Sequence, residues 1–299
     1  MALSIHTNYS SLITQTNLSK TNSALGTNQQ RLGTGFRINS AADDAAGLQI
    51  ATRLNAQSRG MDVAIRNTGD SISLLQTAEG ALNEMTDIVQ RMKDLATQAA
   101  NDTASEKDRD ALQAEYDQLG QELGNIIKNT KYAGENLFSD GTTTDGSNGK
   151  FSAEMNFQIG ASTAEQLTLD VSTPLTDLAT ALGGLSAQYD TPDATTPGAE
   201  IAGTDGSAAN GMIDTLADAL DSIGELRAQF GANINRLNHT ANNLANMKDN
   251  TDMAKGRILD ADFAKESANM SKNSMLLQSG ISMLKQAGQM PGMVMSLLG

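Results

Sequence analysis

The apolar positions along this chain follow two helical rhythms and one strand rhythm. Leu75, Ala78, Leu82, Met85, Val89, Met92 and Ala96 follow alternating steps of three and four residues. Leu216, Leu220, Ile223, Phe230, Ile234, Leu237, Ala241 and Leu244 do the same later in the chain. At 3.6 residues per turn these steps collect side chains on one stripe, so both segments are expected to be amphipathic helices. Arg227 fills the skipped position of the second stripe, where its stem can pack while its guanidinium reaches water. A further helix is expected from about Glu106 to Asn129, stopping near Lys131–Gly134.

The two ends are sparser. Leu18, Leu25 and Leu32 recur every seventh residue among Asn, Ser, Thr and Gln, as do Phe263, Met270, Leu277 and Leu284 near the other end. Seven-residue spacing is the pattern of a coiled-coil seam. Stripes this narrow are expected not to fold stably alone.

Between the helical halves the rhythm shortens. After a Gly/Ser/Thr/Asp loop at Ser139–Gly149, strict alternation runs through Phe151, Ala153, Met155, Phe157 and Ile159, then Leu167, Leu169 and Val171. This predicts a β-hairpin with one buried face at about 151–171. Gly183–Gly211, with Pro192 and Pro197, reads as loop before helix resumes. The expected fold class is mainly α: a long coiled-coil-like helical bundle formed by the N- and C-terminal halves, with a small β-hairpin insertion.

Composition sharpens this picture. Of 299 residues only 3% are aromatic and none is Trp, which suits helices packed side by side on Ala, Leu, Ile and Met. The net charge of −14 is unevenly spread. Residues 1–60 carry five Lys/Arg against two Asp, and residues 254–299 carry five against three acidic residues, so the middle is strongly acidic. That argues against nucleic acid or an anionic membrane surface as partner. Without Cys there is no disulfide, thiolate chemistry or Cys-based zinc site. No apolar run approaches a membrane span, and the first residues lack the basic and apolar regions of a signal peptide. By these rules alone the protein would be cytoplasmic.

Candidate chemistry dissolves on inspection. LGTGFRINSAADDAAGLQIATR (Leu32–Arg53) resembles an active-site loop, but it has no P-loop Lys-Ser/Thr and no third Gly of a dinucleotide site. Ser40 and Asp43 stand three apart, as in a capping box. Ser40 is therefore expected to cap a helix whose first turn holds Asp43 and Asp44. His6 and His239 have no partners in sequence, and the sequons at Asn17 and Asn238 lie in helical surroundings. Six of the fourteen methionines fall in the last thirty residues, which favours an adaptable packing surface over a cofactor site. No catalytic, metal or cofactor site is expected, and no cofactor.

Both ends closely resemble the bacterial flagellins: NQQRLGTGFRINSAADDAAGLQIATRL near the start, and GRILDADFAKESANMSKNSMLLQSGISMLKQAGQMPGMVMSLLG at the end. KYAGENLF (Lys131–Phe138) and FQIGASTAEQLTLDV (Phe157–Val171) are also similar to that family. The resemblance covers about 1–180 and 210–299.

The resemblance implies a structural subunit, not an enzyme, that polymerises into the extracellular filament of the flagellum for swimming or swarming. Residues 1–40 and 258–299 would form an inner-tube coiled coil through Leu18, Leu25, Leu32, Phe263, Met270, Leu277 and Leu284. Residues 41–180 and 210–257 would form the outer-tube bundle with the hairpin, and 181–209 a short variable loop in place of larger outer domains. Arg37, Asn39, Ser40, Asp43 and Asp44 would make the joint between the two. Export without a cleaved signal peptide, through the flagellar type III machine, replaces the cytoplasmic expectation. Implied partners are further copies of the chain, a flagellar export chaperone holding about Met270–Leu298, hook-associated junction and filament cap proteins, and Toll-like receptor 5 in hosts, with no nucleic acid and no membrane insertion. Gln90, Arg91, Lys93, Leu95 and Glu115 resemble the receptor and protofilament contact, with Lys93 and Asp94 where Arg and Glu are usual. The Met-rich C-terminus ending in Gly299 leans towards a lateral filament. The competing reading is a hook–filament junction protein of the same family. A protease-bearing flagellin would need His-Glu-x-x-His, which the chain lacks.

Overall fold

A computed structural model describes residues 8–190 and 197–298, with side chains up to Gln289. His6, Pro192 and Gly299 lie outside the described residues, as do the side chains of Met290, Met293 and Met295. The helices are α1 (Tyr9–Thr34), α2 (Ala45–Ala99), α3 (Glu106–Asn129), α4 (Ser172–Gly183), α5 (Ala187–Asp190), α6 (Ser207–Leu259) and α7 (Phe263–Leu298). The strands are β1 (Lys131–Tyr132), β2 (Glu135–Asn136), β3 (Met155–Gln158) and β4 (Gln166–Leu169), paired antiparallel as β1–β2 and β3–β4. Packing divides the chain into a terminal unit, Met1–Ser58 with Asp249–Gly299, and a central unit, Arg59–Lys248. The division falls within α2 and α6, later in the chain than the expected break at 40/41 and earlier than that at 257/258.

The central unit holds the core. Leu75, Ala78, Leu82, Met85, Val89, Met92 and Ala96 are all buried, as are Leu216, Ile223, Phe230 and Leu237. Arg227 is half-buried and donates to Thr86 Oγ1 at 3.4 Å, so its guanidinium finds a protein partner. The helix α3 has the expected ends. Ser105 and Asp108 form a reciprocal capping box, satisfying donors that the first turn would otherwise leave open.

The chain after α3 departs from expectation. Tyr132 and Glu135 close a two-residue hairpin through Ala133 and Gly134, both at positive φ. Only Met155–Leu169 forms the second hairpin. Phe151 sits in a 3-10 turn (Lys150–Ser152), its ring 5.9 Å from Phe138 and 5.0 Å from Phe230. The alternation from Phe151 therefore begins as a turn, because the ring packs against α6 and not in a strand face. Gly149 is forced here: a Cβ would lie 2.5 Å from the backbone of Phe138 and Ser139.

The stretch expected as loop at 181–209 holds the end of α4 and all of α5. Leu182, Leu185, Tyr189 and Ile201 within it are buried. It is fastened to α3. Gln113 donates to Asp117 (2.7 Å) and Glu200 (2.6 Å) while its carbonyl accepts from the Ile201 and Ala202 amides. Gly124 lets the Tyr189 carbonyl approach to where a Cβ would be only 2.5 Å away. Arg109, 2% exposed, donates to the carbonyls of Ala99, Asn101 and Thr204. Those bonds satisfy a buried guanidinium without a carboxylate.

Candidate functional site: the terminal helix pair and its joint

In the terminal unit α1 and α7 run antiparallel. Asn8 donates to the Ala287 carbonyl (2.6 Å), Leu18 lies against Gly280, and Arg31 pairs with Glu266 at 3.1 Å. A Cβ on Gly280 would fall 2.9 Å from Leu18 Cδ1, so the glycine allows the close approach. Leu18, Leu25 and Leu32, with Met270, Leu277 and Leu284, lie half-buried along this pairing. Phe263 does not: it is 58% exposed beside Gly35 at the base. Its seven-residue spacing is right, but α7 begins at Phe263, before the seam is formed.

Hydrophobic pattern found only half of the seam. The intervening layers are Thr14, Thr21 and Asn28 on α1 with Gly35 at its C-cap, and Glu266, Asn273, Gly280 and Ala287 on α7, each also spaced by seven and each half-buried or buried. Polar and small residues carry no hydrophobic period, so spacing of apolar residues could not reveal them. In this polar layer Asn28 fits with its amide nitrogen toward Glu266 Oε2 (3.2 Å) and its oxygen toward Asn273 Nδ2 (3.1 Å).

The joint is a short backbone crossing. Gly35 ends α1 at φ 76°, a left-handed conformation that suits a residue without Cβ. Phe36 bridges Asp260, the Arg37 amide donates to the Leu259 carbonyl (2.6 Å), and the Ala261 amide donates to the Gly35 carbonyl (2.9 Å). The Arg37 guanidinium adds a bond to the Ile258 carbonyl at 2.8 Å, capping the end of α6, while Asp262 accepts from the Ala264 and Lys265 amides to start α7. Asn39 donates to the Phe36 carbonyl.

The carboxylates there act locally, though not in the expected order. Ser40 does not cap α2. Its amide and hydroxyl, with the Asn39 amide, donate to Asp43 Oδ2, closing a turn over residues 39–43. The cap is Asp44, whose Oδ1 accepts from the Gly47 amide at 2.9 Å before α2 begins at Ala45. The turn adds residues between the capping-box pattern and the helix, which moves the start of α2 past Asp44. Hydrogen bonds from the Asn39 and Ser40 amides, then the Ser40 hydroxyl, hold the Asp43 carboxyl below its ordinary value of 3.8. A depressed folded value means the turn is fully supported above the ordinary range and weakens as pH falls through the lowered value. Protection of the Asn39 and Ser40 amides against exchange, taken relative to the intrinsic rate at each pH, should therefore fall as pH drops through the lowered value, and Asp43→Asn should remove that change.

The contrast between the units defines the terminal pair. Among the described residues, Ile38, Ala51 and Ala287 are the buried hydrophobics of the terminal unit, whereas the central unit has a continuous core. Of the thirteen large exposed hydrophobics among the described residues, eleven belong to the terminal unit, among them Tyr9, Leu12, Met275, Leu276 and Met283. At the second candidate surface, Arg91 and Glu115 form an exposed ion pair at 2.6 Å between α2 and α3, with Gln90 exposed and Lys93 half-buried. Leu95 is 1% exposed and belongs to the core, so it is not a surface contact. Its place in the motif is beside Met92 and Ala96 on the buried stripe. His239 is exposed on α6. Among the described residues no group of three or more His, Asp or Glu could hold a metal, and no helix is long and apolar enough to cross a membrane.

A helical subunit with a well-packed centre and terminal helices that keep their apolar side chains exposed is a subunit of an assembly. The chain belongs to the bacterial flagellin family: the family's N-terminal helical region matches residues 5–144 and its C-terminal helical region matches residues 213–298. It is 35% identical to Flagellin A of Vibrio anguillarum and 34% identical to Polar flagellin C of Vibrio parahaemolyticus serotype O3:K6, each alignment covering 100% of both chains. The first alignment runs over 388 positions against 299 residues here, so that relative carries additional residues. The crystal structure of Bacillus cereus flagellin is 33% identical, covering 60% of this chain and 88% of its own with a TM-score of 0.47. Flagellins are structural proteins, not enzymes, and assemble as homopolymers into the extracellular flagellar filament.

Proposed function

We propose that the α1–α7 pair is the surface through which copies of this chain build the filament. The observation that carries this reading is the exposure of Tyr9, Leu12, Met275, Leu276 and Met283 on helices that bury almost no apolar core of their own. Exposed apolar area of this kind is worth about 25 cal/mol per Å² once covered. Contacts between two different faces of successive copies extend as an open helix when the rotation from copy to copy does not close a ring. Leu18, Leu25, Leu32, Met270, Leu277 and Leu284 hold the pair together within one copy. Arg37, Asn39, Ser40, Asp43 and Asp44 fix the joint below it. Purified protein, heated to depolymerise and cooled with filament seeds, should extend them. Failure to extend seeds, with incorporation only at hook ends, would favour the junction-protein reading.

The remaining partners follow from the same reading. Terminal segments with so little core suit unfolded passage through the type III export machine and a chaperone on about Met270–Leu298 beforehand. Junction and cap proteins would meet the two ends of the polymer. The short stretch at 181–209 takes the place of larger outer domains, in keeping with the longer relatives. The methionine content of α7 supports a lateral filament. Disrupting the gene should then abolish swarming and spare swimming, and loss of swimming would reverse the assignment.

Toll-like receptor 5 is the proposed host partner of the Gln90–Arg91–Lys93 face with Glu115. What supports it is an exposed guanidinium held in place by a carboxylate on the next helix. Such a pair adds little stability, so Arg91→Ala should leave unfolding unchanged while lowering monomer activity in a receptor-reporter cell about tenfold or more. A silent wild-type monomer would sink this reading.

A further inference from the structure

The helix α7 carries two apolar stripes, and only one of them meets α1. Met270, Leu277 and Leu284 are half-buried on the pairing, whereas Leu276 and Met283, also seven apart, are exposed at 48% and 60%. The polar and small stripe Glu266, Asn273, Gly280 and Ala287 lies between the two, because successive residues on a helix are turned by about 100°. Turning α7 about its axis would bring Leu276 and Met283 onto α1, put Asn269 where Met270 now packs, and carry the whole Glu266–Ala287 stripe across the seam. Apolar burial favours the observed face only at one layer, where Met270 stands against Asn269; at the other two, Leu277 and Leu284 exchange for Leu276 and Met283.

The polar layer does choose. Glu266, 7% exposed, receives Arg31 Nη1 on Oε1 at 3.1 Å and the Asn28 amide on Oε2 at 3.2 Å, while Asn273 donates to the Asn28 oxygen. Rotation would carry the Glu266 carboxylate off both partners and break the charge-assisted bonds to Arg31 and Asn28, a loss that exchanging Leu277 for Leu276 does not offset. The joint at Phe36–Asp260 fixes where the helices start along their length, but places no side chain of α7 above residue 263. We infer that Glu266, with Asn28, Arg31 and Asn273, selects the face of α7 that docks on α1, and so keeps Leu276 and Met283 outward for the neighbouring copy. The outward role rests on the filament reading above. The choice of face is intramolecular and does not.

The test uses the full-length chain, which has no Cys of its own to interfere. Leu18 and Leu277 line one groove, so Leu18→Cys with Leu277→Cys reports the docked face, and Leu18→Cys with Leu276→Cys reports the rotated one. In otherwise wild-type protein, mild oxidation should cross-link the first pair and leave the second at background. Combining Asn28→Leu, Glu266→Leu and Asn273→Leu should raise cross-linking of the second pair at least tenfold and lower seeded filament yield. Arg31→Glu alone should do the same, and Arg31→Glu with Glu266→Arg should restore the wild-type pattern, which bulk loss of stability would not. Exclusive cross-linking of the first pair in both the apolar triple variant and Arg31→Glu overturns the inference. If the triple variant does not fold, the single and its reversal decide: an unchanged pattern in Arg31→Glu, or no recovery in the reversal, overturns it. Wild-type protein that cross-links as expected but extends no seeds would sink the filament reading alone.

Discussion

Deleting residues 1–40, or 260–299, is expected to abolish filament growth while leaving a soluble, largely helical monomer. The physical reason is where the core lies. Every residue of the main hydrophobic cluster falls between Leu74 and Leu237, so neither deletion removes a side chain from that cluster. What each deletion removes is one of the two helices of the terminal pair, together with half of its seam. The remaining helix then has no intramolecular partner, and its sparse apolar positions cannot support a stable helix alone. Seeded extension followed by electron microscopy measures the loss, and circular dichroism confirms the retained helix. Filaments formed by either truncated chain would remove α1–α7 as the assembly surface.

The second large effect is on stability, at the other end of the burial scale. Phe230 is fully buried on α6, its ring 5.0 Å from Phe151, which in turn stacks toward Phe138. Phe230→Ala would open a cavity at the point where the turn after the β1–β2 hairpin meets α6, at a cost of about 3–5 kcal/mol. Urea unfolding of monomer should show a midpoint shifted down with little change in slope. Leu25→Ala, half-buried in the terminal seam, should barely move that transition yet reduce seeded growth. The two substitutions thus separate folding of the central unit from assembly of the terminal one. A comparable midpoint shift for both would mean that the units do not differ in this way.

How much of this was legible depended on whether a residue's job is apolar. The stripes Leu75–Ala96 and Leu216–Leu244 and the limits of α3 followed from spacing, because large apolar residues at helical intervals have few other uses. Leu175, Leu178 and Leu182 carry the same steps of three and four, but Pro174, Gly183 and Gly184 frame a helix too short for its period to stand out. The hairpin was real but shorter than its alternation, since Phe151 serves the aromatic cluster. The site was less legible than the fold. Ser40 and Asp43 look like a cap in sequence, and only the extra turn at 39–43 shows that Asp44 does that work.

By itself, the sequence determined that the chain is helical at both ends and centre, that its ends are too thinly apolar to stand alone, and that it carries flagellin motifs. Local propensity and hydrophobic period are properties of single segments, so they can be read from one chain. Tertiary structure decided which stripes face each other: that Leu95 is core, that Phe263 stays exposed, and that Glu266 meets Asn28 and Arg31 across more than two hundred residues of chain. Pairing is a relation between distant segments, and polar residues take their meaning from the partner they find there.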